Sequence, residues 1–147
     1  MIPVGYYAVL YELPDGQGVA VKFAEHPNVI TYGRDWEHAR EMAAEALSLS
    51  LEYEFEQGFH LPDAKKPPAG DGERVVFVAI DPQVRVAYLL RDLREQAGLT
   101  RKAVAERLGI AYRSYQRMER HGRSKLTLAT LSRVARALNK EVVIDIQ

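Results

Sequence analysis

The stretch YRSYQRME, residues 112–119, carries side chains that can read DNA bases. Arginine can pair bidentately with guanine and glutamine with adenine, and both contacts are made in the major groove. Tyr115 and Met118 are three residues apart and would point inward on one helix. The candidate DNA-binding residues are then Tyr112, Arg113, Ser114, Gln116 and Arg117. This stretch is therefore predicted to be a helix that reads DNA.

Two short helices must hold these side chains in place. Thr100 is a suitable N-cap for the first helix, and Gly109 ends it. The second helix is predicted over about residues 112–120. Two short helices joined by a turn that contains glycine are the helix-turn-helix arrangement, in which the second helix enters the major groove. Arg101, at the start of the first helix, would lie close to the DNA backbone or to an adjacent base edge.

Helical periodicity predicts one further helix on each side of this pair. Before it, apolar residues recur at helical spacing until Gly98 ends the helix. These residues are Val86, Leu89, Leu90, Leu93 and Ala97. After it, Thr127 or Thr130 can cap a helix that continues to Leu138. The C-terminal half is therefore predicted to be an all-α module.

The formal net charge of zero conceals an asymmetry between the two halves. Residues 1–83 contain 6 Lys+Arg against 14 Asp+Glu, a net charge of −8, and residues 84–147 contain 14 against 6, a net charge of +8. Opposite signs indicate two modules with different partners, and the basic one suits nucleic acid. A basic face on an ordinary solvated bundle is the alternative, but the glycine turn and the apolar spacing favour DNA binding. Because Pro82 disfavours helix at the residue before it, we predict domains of residues 1–81 and 84–147.

The composition excludes a disordered chain and a disulfide framework. The chain is 47% apolar and 27% charged, which is typical of globular proteins, and it lacks cysteine. The four histidines show no metal-ligand spacing, so no cofactor or metal is expected. One of them, His121, follows the predicted recognition helix as an exposed turn residue or a phosphate contact. Without a signal-like N-terminus or 18 consecutive apolar residues, we expect an unprocessed cytoplasmic protein with no membrane partner.

The acidic half has the pattern of a small α+β domain. Its predicted strands are GYYAVLYEL, VAVKF and VITYG, with a hairpin turn at PDGQG. Asp35 can cap a long helix that runs to about Gln57 and is closed by Gly58. A polar loop over residues 60–73 then leads to a last strand, RVVFVAI. The order βββαβ places one helix on a small sheet.

Four carboxylates could make this half an enzyme: Glu12, Glu41, Glu45 and Asp81. A two-metal nuclease needs several carboxylates that converge on the metal ions. Glu41 and Glu45 lie one helical turn apart, but Glu12 and Asp81 lie at strand ends. No carboxylate lies centrally in the first strand, YYAVLY. We therefore expect a solvated helix face and no catalytic residues, with a metal-dependent nuclease as an alternative.

The C-terminal half resembles the Xre/Cro-type repressor family over about residues 85–140. The resemblance lies in LREQAGLTRKAVAERLGI, YRSYQRME and TLATLSRVARALN. Positions that touch DNA in that family fall on Arg101, Tyr112, Arg113 and Arg117. The resemblance also implies that Arg94 and Glu119 form a buried structural ion pair. Ala111 stands where the family usually has serine or threonine, so the recognition helix lacks a side-chain cap.

The N-terminal half resembles the HicB antitoxin family over roughly residues 5–80. The resemblance lies in the order of two strands around a glycine turn, Phe23, a proline turn, TYG and a helix rich in Ala and Glu. It implies a pared-down ribonuclease H-like fold, a small mRNA-cleaving HicA-like toxin as partner, and repression of the protein's own operon. The sequence AEHPN replaces the usual acidic-aromatic turn. Alternatives are a transcriptional regulator with a ligand-sensing or oligomerising N-terminal domain, and a nuclease with a DNA-binding module.

The tail LNKEVVIDIQ predicts a short C-terminal strand. Its apolar residues are Val142, Val143, Ile144 and Ile146. An exposed apolar edge recruits another strand, and a two-fold antiparallel pairing would make a C2 dimer. Such a dimer could hold two recognition helices about 34 Å apart for a palindromic operator. We predict a homodimer or higher homo-oligomer, with packing on the module's own core or on the N-terminal sheet as alternatives.

Overall fold

A computed structural model describes residues 2–120 and 126–147 of the chain. The chain divides into two compact units, Met1–Arg85 and Val86–Gln147. The first unit contains an antiparallel sheet and a long helix, and the second is helical. The predicted α+β class is therefore confirmed.

The first unit has the predicted element order βββαβ. Its elements are β1 (Gly5–Glu12), β2 (Val19–Phe23), β3 (Ile30–Gly33), α1 (Trp36–Glu56) and β4 (Glu73–Ala79). The sheet order is β3-β2-β1-β4, and every neighbouring pair is antiparallel. The β1–β2 hairpin closes at the predicted PDGQG turn, where Leu13 N donates to Gly18 O at 2.8 Å and Asp15 takes a left-handed conformation (φ 58°). Asp tolerates this region better than most residues because its short side chain can hydrogen-bond locally.

Helix α1 packs on one face of this sheet through a stripe that repeats every four residues. The fully or almost fully buried members are Ala39, Ala43, Leu47, Leu51 and Phe55. Met42 and Ala46, which extend the apolar pattern in the sequence, are only partly buried. Asp35 caps the helix as predicted, with Oδ1 accepting from His38 N at 2.8 Å. Strand β3 approaches α1 so closely that a Cβ atom at Gly33 would collide with the backbone of Ala39.

The second unit consists of helices around one apolar core. They are α2 (Pro82–Gln96), whose first turn lies in the first unit, α3 (Arg101–Leu108), α4 (Tyr112–Met118) and α5 (Leu128–Ala137). The buried core residues are Leu90, Val104, Ala105, Tyr115, Val134 and Leu138. The helices thus follow the predicted order, and Thr127 rather than Thr130 is the N-cap of α5.

The prediction of a C-terminal strand in the tail is wrong for the single chain. In the part of the chain that the structure describes, residues 141–147 belong to no strand, and Val143 and Ile146 are 89% and 90% exposed. A strand needs a neighbour to pair its backbone groups, and the helices of this unit offer no open sheet edge. Pairing with a second copy stays a prediction. Among the described helices, none combines the length and the hydropathy needed to cross a membrane.

Candidate nucleic-acid interface

Helix α3 and the turn that follows it are fixed by local backbone contacts. Thr100 Oγ1 accepts from Ala103 N at 3.1 Å, which satisfies one of the open donors of the first turn. Gly109 ends the helix in the left-handed region (φ 66°), and Ile110 N donates to Ala105 O at 3.1 Å. This pattern of contacts is that of a Schellman cap. Thr100 therefore begins the helix and Gly109 ends it, as predicted.

Helix α4 is anchored by Tyr115, whose side chain is fully buried. It begins after Ala111, whose methyl side chain cannot accept a hydrogen bond from the first turn. The side chains that the structure brings to its exposed face are Tyr112, Arg113, Gln116 and Arg117. Ser114 is half-buried and lies beside this face. The four exposed side chains offer the donors, acceptors and aromatic surface that base edges and phosphates recognise.

Glu119, directly after α4, is a buried carboxylate that joins three elements. Its Oε1 accepts from Arg94 Nε at 2.5 Å and from the Tyr115 hydroxyl at 3.0 Å, and its Oε2 accepts from Arg101 Nε at 2.7 Å. Arg94 Nη1 also donates to Leu99 O at 2.9 Å. Only 1% of Glu119 is exposed, so these contacts replace its lost hydration. The structure thus brings Arg94 and Glu119 together and adds Arg101 to the same carboxylate.

The protonation states of this cluster are fixed by its own contacts. The hydrogen bond to Glu119 raises the pKa of the Arg101 guanidinium above its ordinary value. Burial first, and then the charge of Glu119, raise the pKa of the Tyr115 hydroxyl. Both groups therefore keep their protons at physiological pH. Because a guanidinium stays charged in proteins, the two arginines outnumber the one carboxylate of the cluster.

A concavity of about 530 Å³ lies between the N-terminus of α3 and the start of α4. It is lined by Arg94, Thr100, Arg101, Lys102 and Tyr112. Tyr112 lies close enough to Arg101 to add to the rise in the pKa of its guanidinium. The cationic side chains and the open backbone donors of the first turn of α3 attract anions such as a DNA phosphate. Sequence reasoning missed Lys102, although its place beside Arg101 in the first turn was a signal that could have identified it.

Two arginines of the basic half hold the fold together through backbone carbonyls. Arg107 Nη1 donates to Ala137 O at 3.0 Å, and Arg133 Nη2 donates to Leu108 O at 3.4 Å. Both carbonyls lie at helix C-termini, where open acceptors and the helix dipole favour a cation. The positive charge of the second unit is therefore divided between structural contacts and the exposed face of α4.

The carboxylates considered for metal chemistry belong to the first unit. Glu12, Glu41, Glu45 and Asp81 are all exposed. Asp81 Oδ1 accepts from Gln83 N at 2.8 Å at the start of α2. Among the described residues, no three of these four carboxylates lie within ligand distance of one another. His121, considered as a phosphate contact, lies outside the described residues.

Comparison with known proteins agrees with this geometry. Residues 90–144 match the helix-turn-helix family model. Over 58 residues the chain is 38% identical to an uncharacterized HTH-type transcriptional regulator of Methanothermobacter thermautotrophicus, covering 40% of this chain and 83% of that protein. The chain belongs to the helix-turn-helix family. The match contains α3, the glycine turn and α4, which are the elements that form the candidate interface.

A second similarity extends over both units. Across 141 residues the chain is 28% identical to Antitoxin HicB 1 of Photorhabdus laumondii, covering 96% of this chain and 86% of that protein. The resemblance to HicB antitoxins that carry a C-terminal helix-turn-helix domain is therefore confirmed.

Proposed function

We propose that this protein is a cytoplasmic antitoxin and autorepressor of a toxin–antitoxin pair. In this proposal the first unit binds and neutralises a small mRNA-cleaving HicA-like toxin, and the second unit binds operator DNA of its own operon. The observation that carries the proposal is the similarity to an antitoxin over 96% of the chain, which includes both units. The opposite charges of the two halves support it, because DNA and an RNA-binding toxin are partners of opposite sign.

For the second unit we propose that α4 is the recognition helix. Its exposed residues Arg113, Gln116 and Arg117 would read base edges, with Tyr112 and Ser114 beside them. Arg101 and Lys102 would contact the phosphate backbone through the concavity at the N-terminus of α3. Glu119 would hold Arg101 in position for that contact.

We further propose that the DNA-binding form is a homodimer on a palindromic operator. The tail supports this proposal, because Val143, Ile144 and Ile146 are 89%, 57% and 90% exposed in the single chain. Three exposed apolar side chains on an unpaired segment suit antiparallel pairing with a second copy, to which Val142 would also contribute.

For the first unit we propose that the outer face of α1 contacts the toxin. Glu37, Glu41 and Glu45 are exposed and lie four residues apart, so they form one acidic ridge. Leu49 and Tyr53 continue the same ridge and are 62% and 64% exposed. An acidic ridge that ends in apolar side chains suits a basic protein surface that also offers apolar contact.

We assign no enzymatic activity to the first unit, and we place its helix-covered sheet among pared-down ribonuclease H-like folds. Its similarity to an antitoxin supports the lack of activity. So does the finding that no three of Glu12, Glu41, Glu45 and Asp81 lie within ligand distance of one another in the described residues. Incubation of the pure protein with Mg²⁺ or Mn²⁺ and with RNA or DNA is expected to give no cleavage. Metal-dependent cleavage that Glu41→Gln abolishes would favour the nuclease instead.

One preparation of the protein is tested for binding to operator DNA and for binding to the toxin. We expect the protein to bind DNA from upstream of its own gene with an affinity that falls steeply with salt, because phosphate contacts release counterions. We also expect it to form a complex with the small basic product of the neighbouring gene and to block its cleavage of mRNA. DNA binding without any complex would leave a plain transcriptional regulator with a ligand-sensing or oligomerising N-terminal domain.

A further inference from the structure

A cavity of about 440 Å³ lies within the first unit, and we call it the His26 cavity. Its walls come from the β2–β3 turn, from the C-terminal half of α1 and from the loop that follows α1. The side chains that matter for its chemistry are Glu25, His26, Ser50, Tyr53, Glu54 and Phe59. Two of these are carboxylates, so the cavity is acidic.

The histidine of this cavity is buried and keeps one ring nitrogen unpaired among the described residues. Only 3% of His26 is exposed, and its ring packs edge-on against Tyr6 with centroids 4.3 Å apart. Its Nδ1 lies 3.4 Å from Glu54 Oε1, an atom that also accepts from the Ser50 hydroxyl at 3.3 Å. In the neutral tautomer that donates from Nδ1 to this carboxylate, Nε2 is an acceptor. Within the residues that the structure describes, Nε2 has no hydrogen-bond partner.

The neighbouring glutamate is satisfied on only one oxygen. Glu25 Oε1 accepts from Lys65 N at 2.8 Å, whereas Oε2 is buried and has no partner among the described residues. Buried polar atoms are nearly always paired in folded proteins, so two unpaired acceptors on adjacent residues are unusual. Two residues of the cavity therefore each keep a buried polar atom without a partner, and the carboxylates of Glu25 and Glu54 add negative charge.

A ligand that suits this wall brings several N–H donors and a positive charge. A guanidinium group has five donors in a plane and stays charged at every physiological pH. It also stacks on aromatic rings, and Tyr53 and Phe59 at the cavity are 64% and 59% exposed. An anion or an apolar group would leave the acceptors unpaired or would be repelled by the carboxylates.

We propose that the His26 cavity receives an arginine side chain of the basic protein that binds the first unit. This inference rests on the proposed function for the existence of that partner. Tyr53 belongs both to the cavity and to the ridge that begins at Glu37, so the two surfaces are continuous. The ridge spans about 24 Å along α1 at 1.5 Å per residue. A basic partner that lies along the ridge can therefore insert one arginine at its end.

The test uses the full-length protein and a probe that mimics one arginine side chain. N-acetyl-arginine amide is titrated while the backbone amide signals are followed by NMR, and N-acetyl-citrulline amide, its neutral isostere, is the matched probe. We expect saturable shifts at residues 25–28 and 50–54 with the arginine probe alone. Glu25→Gln and Glu54→Gln are expected to weaken binding by at least about tenfold, the usual effect of losing a hydrogen bond between charged groups. Glu12→Gln removes the same charge outside the cavity and is expected to change nothing.

The outcomes separate the cavity from the proposed partner. Equal responses to arginine and citrulline, or shifts confined to other surfaces, would overturn the cavity proposal whatever the toxin does. So would a toxin that binds the folded Glu54→Gln variant as tightly as the unaltered protein, and that result would leave the antitoxin function intact. A saturable arginine response without any toxin complex would support the cavity and overturn only the proposed identity of the partner. Thermal unfolding followed by circular dichroism checks that both variants are folded.

Discussion

Buried polar atoms occur in both units, and they differ in whether the chain itself satisfies them. Glu119 accepts hydrogen bonds from Arg94, Arg101 and Tyr115, so its network is closed. Glu25 and His26 each keep a buried polar atom without a partner in the described part of the chain. A closed network stabilises its unit, whereas an open one is available to another molecule. The number of unmet acceptors, rather than burial alone, therefore separates a structural cluster from a candidate binding site.

The largest expected effect is the loss of the closed network. Glu119→Ala is expected to lower the free energy of unfolding of the second unit by about 3–5 kcal/mol, because buried Arg94 would keep its charge without a counterion. The single tryptophan, Trp36, lies in the first unit. In urea unfolding, Glu119→Ala should therefore lower the midpoint measured by helical circular dichroism. The midpoint measured by tryptophan fluorescence should be unchanged. Glu106→Ala, an exposed change in α3, is the matched control, and a loss below about 1 kcal/mol in Glu119→Ala would contradict a closed structural role.

The second-largest expected effect concerns the tail, residues 141–147, most of whose apolar side chains are exposed. Deletion of residues 141–147 is expected to make the protein monomeric and to weaken operator binding by roughly a hundredfold, since the two half-sites would no longer be bound together. Non-specific DNA binding should change far less. Light scattering measures the mass, and fluorescence anisotropy measures both affinities.

A truncated protein that remains dimeric would contradict the dimer contact proposed for the tail. In that case Val142, the partly buried member of the segment, would be explained by packing within its own unit.

Two arginines of the second unit allow a comparison between a buried, paired side chain and an exposed one. Arg113 is exposed on α4, whereas Arg94 is buried against Glu119. Arg113→Ala is therefore expected to leave stability within about 0.5 kcal/mol of the original and to weaken operator binding by about 1–3 kcal/mol. Arg136→Ala removes the same charge from an exposed position on α5 and serves as the control. An equal loss on operator and random DNA would make Arg113 a phosphate contact rather than a base reader.

Local signals explain why much of the fold could be predicted from the sequence. Asp35, Thr100 and Gly109 act through hydrogen bonds to residues three to five positions away, and such contacts can be read from spacing. The element order βββαβ and helix α1 follow from the same kind of pattern, whereas the sheet order β3-β2-β1-β4 was not predicted. The tail could not be read in this way, because apolar alternation predicts a strand only where a neighbouring strand is present.

The clusters depend on contacts that no spacing rule contains. Arg101 reaches Glu119 across 18 positions, so a residue considered only for DNA also holds a buried carboxylate. His26 meets Glu54 across 28 positions, and an isolated histidine gave no sign of a cavity in the sequence. Candidate surface residues can be selected from helix periodicity, but their roles are decided by tertiary partners.

The smallest expected effect concerns an ion pair on the sheet whose two side chains are partly exposed to solvent. Lys22 Nζ lies 3.0 Å from Glu73 Oε2 on the sheet, and the two side chains are 56% and 22% exposed. The hydrogen bond from Lys22, followed by that from Gly70 N, lowers the pKa of Glu73. A depressed folded-state pKa contributes stability above the unfolded-state value of 4.5, and this contribution is lost as pH falls through the folded-state value.

Lys22→Gln should therefore be slightly less stable than the original protein at pH 7, and the difference should vanish in acid and shrink in high salt. Thermal unfolding across pH and NMR titration of the Glu73 carboxyl measure both changes. If the difference persists at low pH, it must come from the packing of Lys22 over the Tyr11 ring, 5.1 Å from its centroid, rather than from the ion pair.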